Sequence, residues 1–255
     1  MKVATWNVNS LRVRLTHLTD WLAVNAPDVM CLQETKCDDE TFPREELRAA
    51  GYASAHLGQR TYNGVAILSR GEGSIVARNI PGFADDQSRV IAMDFDGVRV
   101  VSVYVPNGQS VGSDKYRYKL RWLEALTAWL VNELMEHPRI AVLGDFNIAP
   151  EDRDVYDPAA WAGQVLFSDP EREALKRLID LGFADSFRLF DQPERSYTWW
   201  DYRMNAFRRK MGLRIDHALL SPELARACKS CSIDTMPRKL ERPSDHAPVL
   251  CELAG

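Results

Sequence analysis

Short apolar runs and helical repeats alternate along this chain. The runs KVATWNV (2–8), DVMCLQ (28–33), GVAILSR (64–70), RVIAMDFDG (89–97), VRVVSVYV (98–105), RIAVLGDF (139–146), RIDHALLS (214–221) and APVLCEL (247–253) are rich in β-branched and aromatic residues. Each predicts a strand, because such side chains suit a pleated, half-buried surface. Leu11, Leu15, Leu18 and Leu22 recur at helical spacing, as do Leu123, Leu126, Leu130 and Leu134. Ser168 and Glu171 form a capping box that opens a third helix in PEREALKRLIDLG. Eight or more strands leave too few helices for a regular βα alternation and fit a sandwich better than a doubly wound parallel fold. They predict two sheets packed face to face and covered by helices.

The polar residues that border these runs carry the chemistry. IAVLGDFN (140–147) ends in Gly144, Asp145 and Asn147, and in an extended chain residues two apart point the same way. VATWNVN ends in Asn7 and Asn9 at the same spacing, and VMCLQE ends in Glu34. RIDHALL and SDHAPVL instead place Asp216, and the pair Asp245 and His246, just ahead of apolar runs. With antiparallel neighbours the end of one strand lies beside the start of the next, so all five segments can meet on one rim. A lone Asn or Asp at a strand end is usually a turn former, and His56 and His217 read as such background. Turn formers alone do not account for one Glu, three Asp, three Asn and one His with no Lys among them. Such a set is what a hard divalent cation and a phosphate-cleaving site require, since oxygen ligands suit magnesium or manganese.

Composition narrows the setting. At 255 residues and 45% hydrophobic content the chain can bury a large core, and no linker-like stretch divides it, so a single domain over 1–255 is expected. No apolar stretch approaches the roughly 20 residues of a membrane span, and MKVATWNVNS lacks the apolar centre of a secretory signal. A soluble, cytosolic protein with reduced thiols is expected from this and from the odd count of five cysteines. Cys228 and Cys231 form a C-x-x-C with no second pair and no nearby histidine, so no zinc site is expected. The net charge of −4 argues against a basic coat, but positive charge is concentrated in two segments. DYRMNAFRRKMGLR holds Arg203, Arg208, Arg209, Lys210 and Arg214, and DKYRYKLR holds Lys115, Arg117, Lys119 and Arg121. Interleaved with aromatics, these segments could track a phosphate backbone or simply be solvated faces, and placement decides between the two.

WNVNSLR, LQETK, YNGVAILSR, YVPNG, GDFNIAP, YTWWDYR, GLRIDHALLS and PSDHAP, in this order over nearly the whole chain, resemble the exonuclease III family of abasic-site endonucleases. That family lies within the endonuclease/exonuclease/phosphatase superfamily. One such motif is weak, but eight in order are specific. The resemblance implies a DNase I-like, four-layer α/β sandwich with two mixed sheets face to face and helices outside. It further implies a metal-dependent phosphodiesterase of base-excision repair, using Mg2+ or Mn2+. Such an enzyme cuts duplex DNA 5′ to abasic sites and has 3′–5′ exonuclease and 3′-phosphatase activity. Its partner would be double-stranded DNA with abasic sites or blocked 3′ ends, and it would act as a monomer in the nucleoid-associated cytoplasm, away from membranes.

Residue by residue, the resemblance implies that Glu34 is the principal metal carboxylate, with Asn7 and Asp245 completing the shell directly or through water. Asp145 would take the proton from the attacking water, and Asn147 would orient that water or the phosphate. His246, held by Asp216, would donate to a non-bridging phosphate oxygen, with Tyr104 and Asn107 near the leaving oxygen and the phosphate. Some family members carry Asp where this chain has Asn9, which leaves the number of metals open. Trp199, Leu213 and Ile215 would wall a pocket for a base-free sugar, although some members have Trp at the place of Leu213. Arg203, Arg208, Arg209 and Lys210 would meet the DNA backbone. Inositol-phosphate and lipid phosphodiesterases share the superfamily's rim, and the same fold could serve a nucleic-acid-binding regulator with a degraded one. YTWWDYR and the basic segment before GLRID resemble the DNA-binding part of the first group, and Glu34, Asp145, Asn147, Asp216 and His246 are all present. Both points favour a DNA-cleaving enzyme.

Overall fold

The structure is a computed structural model that describes residues 1–254. In chain order its elements are β1 (Lys2–Asn7), α1 (Leu11–Asn25), β2 (Val29–Gln33), α2 (Arg44–Ala49), β3 (Ala53–Leu57), β4 (Val65–Ser69), β5 (Ser74–Arg78), β6 (Val90–Phe95), β7 (Val98–Tyr104), α3 (Asp114–Glu136) and β8 (Ile140–Asp145). They continue with α4 (Pro158–Trp161), α5 (Asp169–Asp180), β9 (Ala184–Asp185), β10 (Asp216–Leu220), α6 (Pro222–Ala227), β11 (Cys228–Ile233) and β12 (Val249–Leu253), with single 3-10 turns between. The strands form two six-stranded sheets, ordered β11-β12-β1-β2-β4-β3 and β5-β6-β7-β8-β10-β9. Each sheet has one parallel pair at its centre, β1 with β2 and β7 with β8, flanked on both sides by antiparallel neighbours. The two halves therefore repeat one layout, which sequence inspection did not reveal.

Alternation explains the layers. In β2 and β8 every residue is buried, because one face meets the other sheet and the opposite face meets a helix. Cys31, Val65, Val100, Leu143, Ala218 and Val249 belong to the core shared by the two sheets. Leu11, Leu18, Trp21 and Leu22 on α1 cover the outer face of the first sheet through Ala4, Met30 and Leu32. Leu123, Leu126 and Leu130 on α3, with Leu175 and Leu178 on α5, cover the second through Val101, Val103 and Val142. Four layers result, as expected. Truncating Leu143 to alanine in the central layer would cost about 2–5 kcal/mol, the usual range for a fully enclosed leucine.

Local signals set the helix ends. Ser113 accepts from the Tyr116 N–H at the start of α3, and the Ser168–Glu171 capping box opens α5. Helix α1 stops at Ala26, whose φ of 46° places it in the left-handed region before Pro27. All five cysteines are free thiols. Among the described residues, no helix is long and apolar enough to cross a membrane.

Candidate active site

The parallel pairs aim their carboxyl ends at one rim. Asn7 pairs with Gln33, the residue before Glu34, and Tyr104 pairs with Asp145 in the second sheet. The antiparallel register then sets Asp216 directly opposite Asp145. A bridge between Trp199 and His246 brings in the segment that precedes β12. Gly144 makes the close approach possible, since a Cβ there would lie 1.9 Å from the Val103 carbonyl oxygen. Glu34, Asn9 and Asn147 have φ of 51°, 42° and 51°, in the left-handed region. Asparagine tolerates that region, but glutamate adopts it only where the surroundings impose it, so Glu34 carries backbone strain at the rim.

Asp145 is 1% exposed and held on all sides. Its Oδ1 accepts from the Asn147 backbone N–H at 2.8 Å, and its Oδ2 accepts from Asn7 Nδ2 at 2.9 Å and Asn147 Nδ2 at 3.3 Å. Asn147 also donates to the Val105 carbonyl and accepts from Asn107 Nδ2 at 3.2 Å. The Asn7 amide is oriented by the Asn9 N–H, which donates to its Oδ1, so Nδ2 is left to reach both Asp145 and Glu34. His246 Nδ1 meets Asp216 Oδ2 at 2.8 Å, and its Nε2 lies 3.8 Å from Asp145 Oδ2. Asp216 Oδ1 is buried with no hydrogen-bond partner among the described residues, so the imidazole is the main polar group that faces this carboxyl.

Burial pushes the Asp145 carboxyl up to about 7, with Asp216 and Glu34 adding to the effect and His246 and Asn7 opposing it. A base poised near neutrality is what general-base chemistry favours. Burial opposes a charged His246, but Asp216, and after it Asp145, overcome this and push the imidazole up to about 10. It is therefore an imidazolium at neutral pH, a donor through both nitrogens. Burial also opposes ionisation of Glu34, yet the Lys36 ammonium and the Asn7 amide hold its carboxyl below the usual range. Tyr104 is raised well above its ordinary value by burial and by the Glu34 and Asp145 charges, so its hydroxyl stays protonated.

Donor atoms of Glu34, Asp145 and His246 lie within 4.8 Å of one another. A charged imidazole cannot ligate a cation, which leaves the carboxylate oxygens, and hard oxygen donors of that kind suit a divalent ion that keeps several waters. The residues thus fit such an ion, which Glu34 could hold.

The profile of the endonuclease/exonuclease/phosphatase family matches residues 4–246. The chain belongs to that family. Membership makes it a phosphate-ester hydrolase, and the expected sandwich agrees with its relatives. It is 36% identical to exodeoxyribonuclease III of Haemophilus influenzae, with 99% of each chain covered. Among solved structures, the 3′ phosphatase NExo from Neisseria, bound to a product DNA hairpin, shares 47% identity, full coverage of both chains and a TM-score of 0.98. An AP endonuclease from Archaeoglobus fulgidus shares 39% identity over 99% of each chain, with a TM-score of 0.96.

In this endonuclease/exonuclease/phosphatase chain the remaining expected residues separate. Asp245 is not among the three residues whose donor atoms lie within 4.8 Å of one another; its Oδ1 accepts from Asn9 Nδ2 at 2.9 Å and its Oδ2 from Trp199 Nε1 at 3.0 Å. Trp199 is half-buried, whereas Leu213 and Ile215 are 0% and 1% exposed and pack with Ala149, Val155, Leu166 and Phe167. Those two are core and present no surface to a sugar, because the 149–167 segment closes over them. Arg208, Arg209 and Lys210 are exposed and in no ion pair among the described residues, while Arg203 is exposed but paired with Asp201. Two members of the expected basic segments are interior. Arg214 pairs with Asp154 and Asp185, and Lys119 pairs with Glu171.

Two side chains at the rim were missed. Lys36 Nζ lies 2.8 Å from Glu34 Oε2 and 2.5 Å from Asn9 Oδ1. The Arg89 guanidinium stacks 4.7 Å from the Tyr104 ring centre and donates to the Tyr104 carbonyl. Arg89 directly precedes the apolar run of β6, just as the 245–246 pair precedes that of β12, so the same rule applied there would have found it.

Proposed function

We propose that this chain is a divalent-metal-dependent phosphodiesterase that cuts duplex DNA on the 5′ side of abasic sites and clears 3′ ends of phosphates and nucleotides. Mg2+ is its metal, with Mn2+ able to substitute. The observation that carries this reading is Asp145, enclosed at 1% exposure with its carboxyl pushed up to about 7 and the Asp216-held imidazolium 3.8 Å away. Asp145 takes the proton of the attacking water, and Asn147 fixes that water without competing for the proton. His246 donates from Nε2 to a non-bridging phosphate oxygen, where negative charge grows. Glu34 holds the cation, which when bound withdraws charge from the phosphate. Tyr104 keeps its proton for the leaving side, and Asn107 steadies the phosphate. Arg208, Arg209 and Lys210 follow the DNA backbone.

The test uses two substrates, a duplex with one abasic site and a hairpin ending in a 3′-phosphate. Incision 5′ to the abasic site and release of inorganic phosphate are expected, both abolished by chelator and restored by Mg2+. Absence of cleavage of either substrate with Mg2+ present, or cleavage indifferent to chelation, overturns the proposal.

A further inference from the structure

Helix α3 sends a fully buried cation, Lys119, beneath the rim. Its Nζ donates to the Asn147 carbonyl at 2.7 Å, to the Asn107 carbonyl at 3.1 Å, and to Glu171. Three donors meet three acceptors, so the ammonium is fully satisfied. Neither carbonyl accepts from a backbone N–H among the described residues, which makes Lys119 the polar partner of both, the Asn147 carbonyl in a buried bond and that of Asn107 in a partly buried one. Its stem runs under Gly108, at φ +94°, where a Cβ would lie 3.2 Å from Lys119 Cδ. Glu171 is bound in turn. It accepts from the Leu166 and Ser168 N–H groups at 3.1 Å each and from the Ser168 hydroxyl, anchoring α5 and its preceding loop.

We infer that Lys119 is a positioning residue, whose ammonium ties the backbone of Asn107 to that of Asn147 and so fixes the two asparagines relative to Asp145. The inference rests on the proposed assignment of those asparagines to the phosphate and the water. Their side chains are joined at the rim by the Asn107 Nδ2 to Asn147 Oδ1 bond, and Lys119 joins them a second time from below. Asn147 sits at φ 51°, so a loop released from Lys119 can relax to another conformation and carry the amide off its line to Asp145. An ion pair solely for cohesion would need only the Glu171 contact. The two carbonyl bonds are what link Lys119 to the reaction, and misplacement by about 1 Å is enough to lower a rate by about 100-fold.

Removing Lys119 alone would strand the Glu171 charge and could unfold the protein, so the test uses Lys119→Met combined with Glu171→Gln. Glu171→Gln alone, in which Lys119 keeps both carbonyls and the new amide oxygen as acceptors but loses its counter-charge, is the control once its melting temperature shows it folded. If it does not fold, the double variant is read against the parent, and Lys119→Gln with Glu171→Gln replaces the double variant if that one does not fold. The expected result on the 3′-phosphate hairpin is kcat lower by about 100-fold with KM within about threefold, against a loss below about fivefold in the control. Deuterium exchange should quicken in segments 105–110 and 146–150 of the double variant, while β7 and β8 stay protected. A kcat within about threefold of the parent, unchanged exchange in both segments, or an equal rate loss in the control overturns the inference. If the parent protein cleaves no DNA, the assigned reaction fails, and the exchange comparison alone still decides whether Lys119 holds the two asparagines.

Discussion

Replacing Asp216 by asparagine keeps the shape of the side chain but removes the charge that faces His246 Nδ1 at 2.8 Å. With both charges delocalised, their centres are roughly 4 Å apart, and at an effective dielectric of about 20 that is worth about 4 kcal/mol. At about 1.4 kcal/mol per pKa unit, the loss amounts to roughly three units. Against burial, Asp216 and Asp145 together push His246 from 6.5 up to about 10, so the variant should titrate near 7. The direct assay is a proton–carbon NMR titration of the imidazole in metal-free protein, alongside the pH dependence of kcat in Mg2+. The alkaline limb of the rate profile should move down by about the same interval. The stability sign follows from the raised value. His246 contributes stability that is fully present below 6.5 and is lost as pH rises through about 10. The melting-temperature gap between parent and variant should therefore narrow across that window. An imidazole that titrates within about half a unit of the parent would refute the electrostatic account of the pair.

Asp145→Asn should lower single-turnover rates by orders of magnitude with DNA binding nearly intact, and a loss below about tenfold, some 1.4 kcal/mol of barrier, removes Asp145 from the role of base. Arg208, Arg209 and Lys210 changed together to alanine should weaken duplex binding and flatten its salt dependence, by up to about 0.9 in slope per lost phosphate contact; an unchanged slope returns these residues to being a solvated face. Trp199→Ala should cut abasic-site incision far more than 3′-phosphate removal, measured side by side with circular dichroism as a check on folding. Equal losses make Trp199 structural, through its bond to Asp245.

Every strand expected from the apolar runs is present, and the four that were not expected, β3, β5, β9 and β11, are the four sheet edges. The reason is physical. An edge strand is buried on fewer sides, so β5 buries only Ala77, β11 only Cys231, and β9 is two residues long. Polar residues at strand ends marked the rim because register converts sequence position into proximity. What register does not fix is which long side chains turn inward. Lys119 looked like part of a basic face, since its partner Glu171 stands 52 residues away. Leu213 and Ile215 alternate correctly around Asp216, but whether they wall a pocket or fill a core is decided by Ala149, Val155, Leu166 and Phe167.

Glu34 extends from the first sheet, whereas Asp145 and Asp216 belong to the second. The group proposed to hold the cation and the group proposed to take the proton are therefore mounted on opposite sides of a seam, and the thickness of the apolar layer between the sheets acts as the gauge that sets their separation. Asn7 is the stitch across it, one amide nitrogen 2.9 Å from Glu34 and 2.9 Å from Asp145. Ala141 and Ala218 line that layer as small, buried residues that touch neither carboxylate through a hydrogen bond. Enlarging either would spread the sheets by a fraction of an ångström and detune the pair of carboxylates, so in this architecture the filling between the sheets is under the same geometric constraint as the reacting groups themselves.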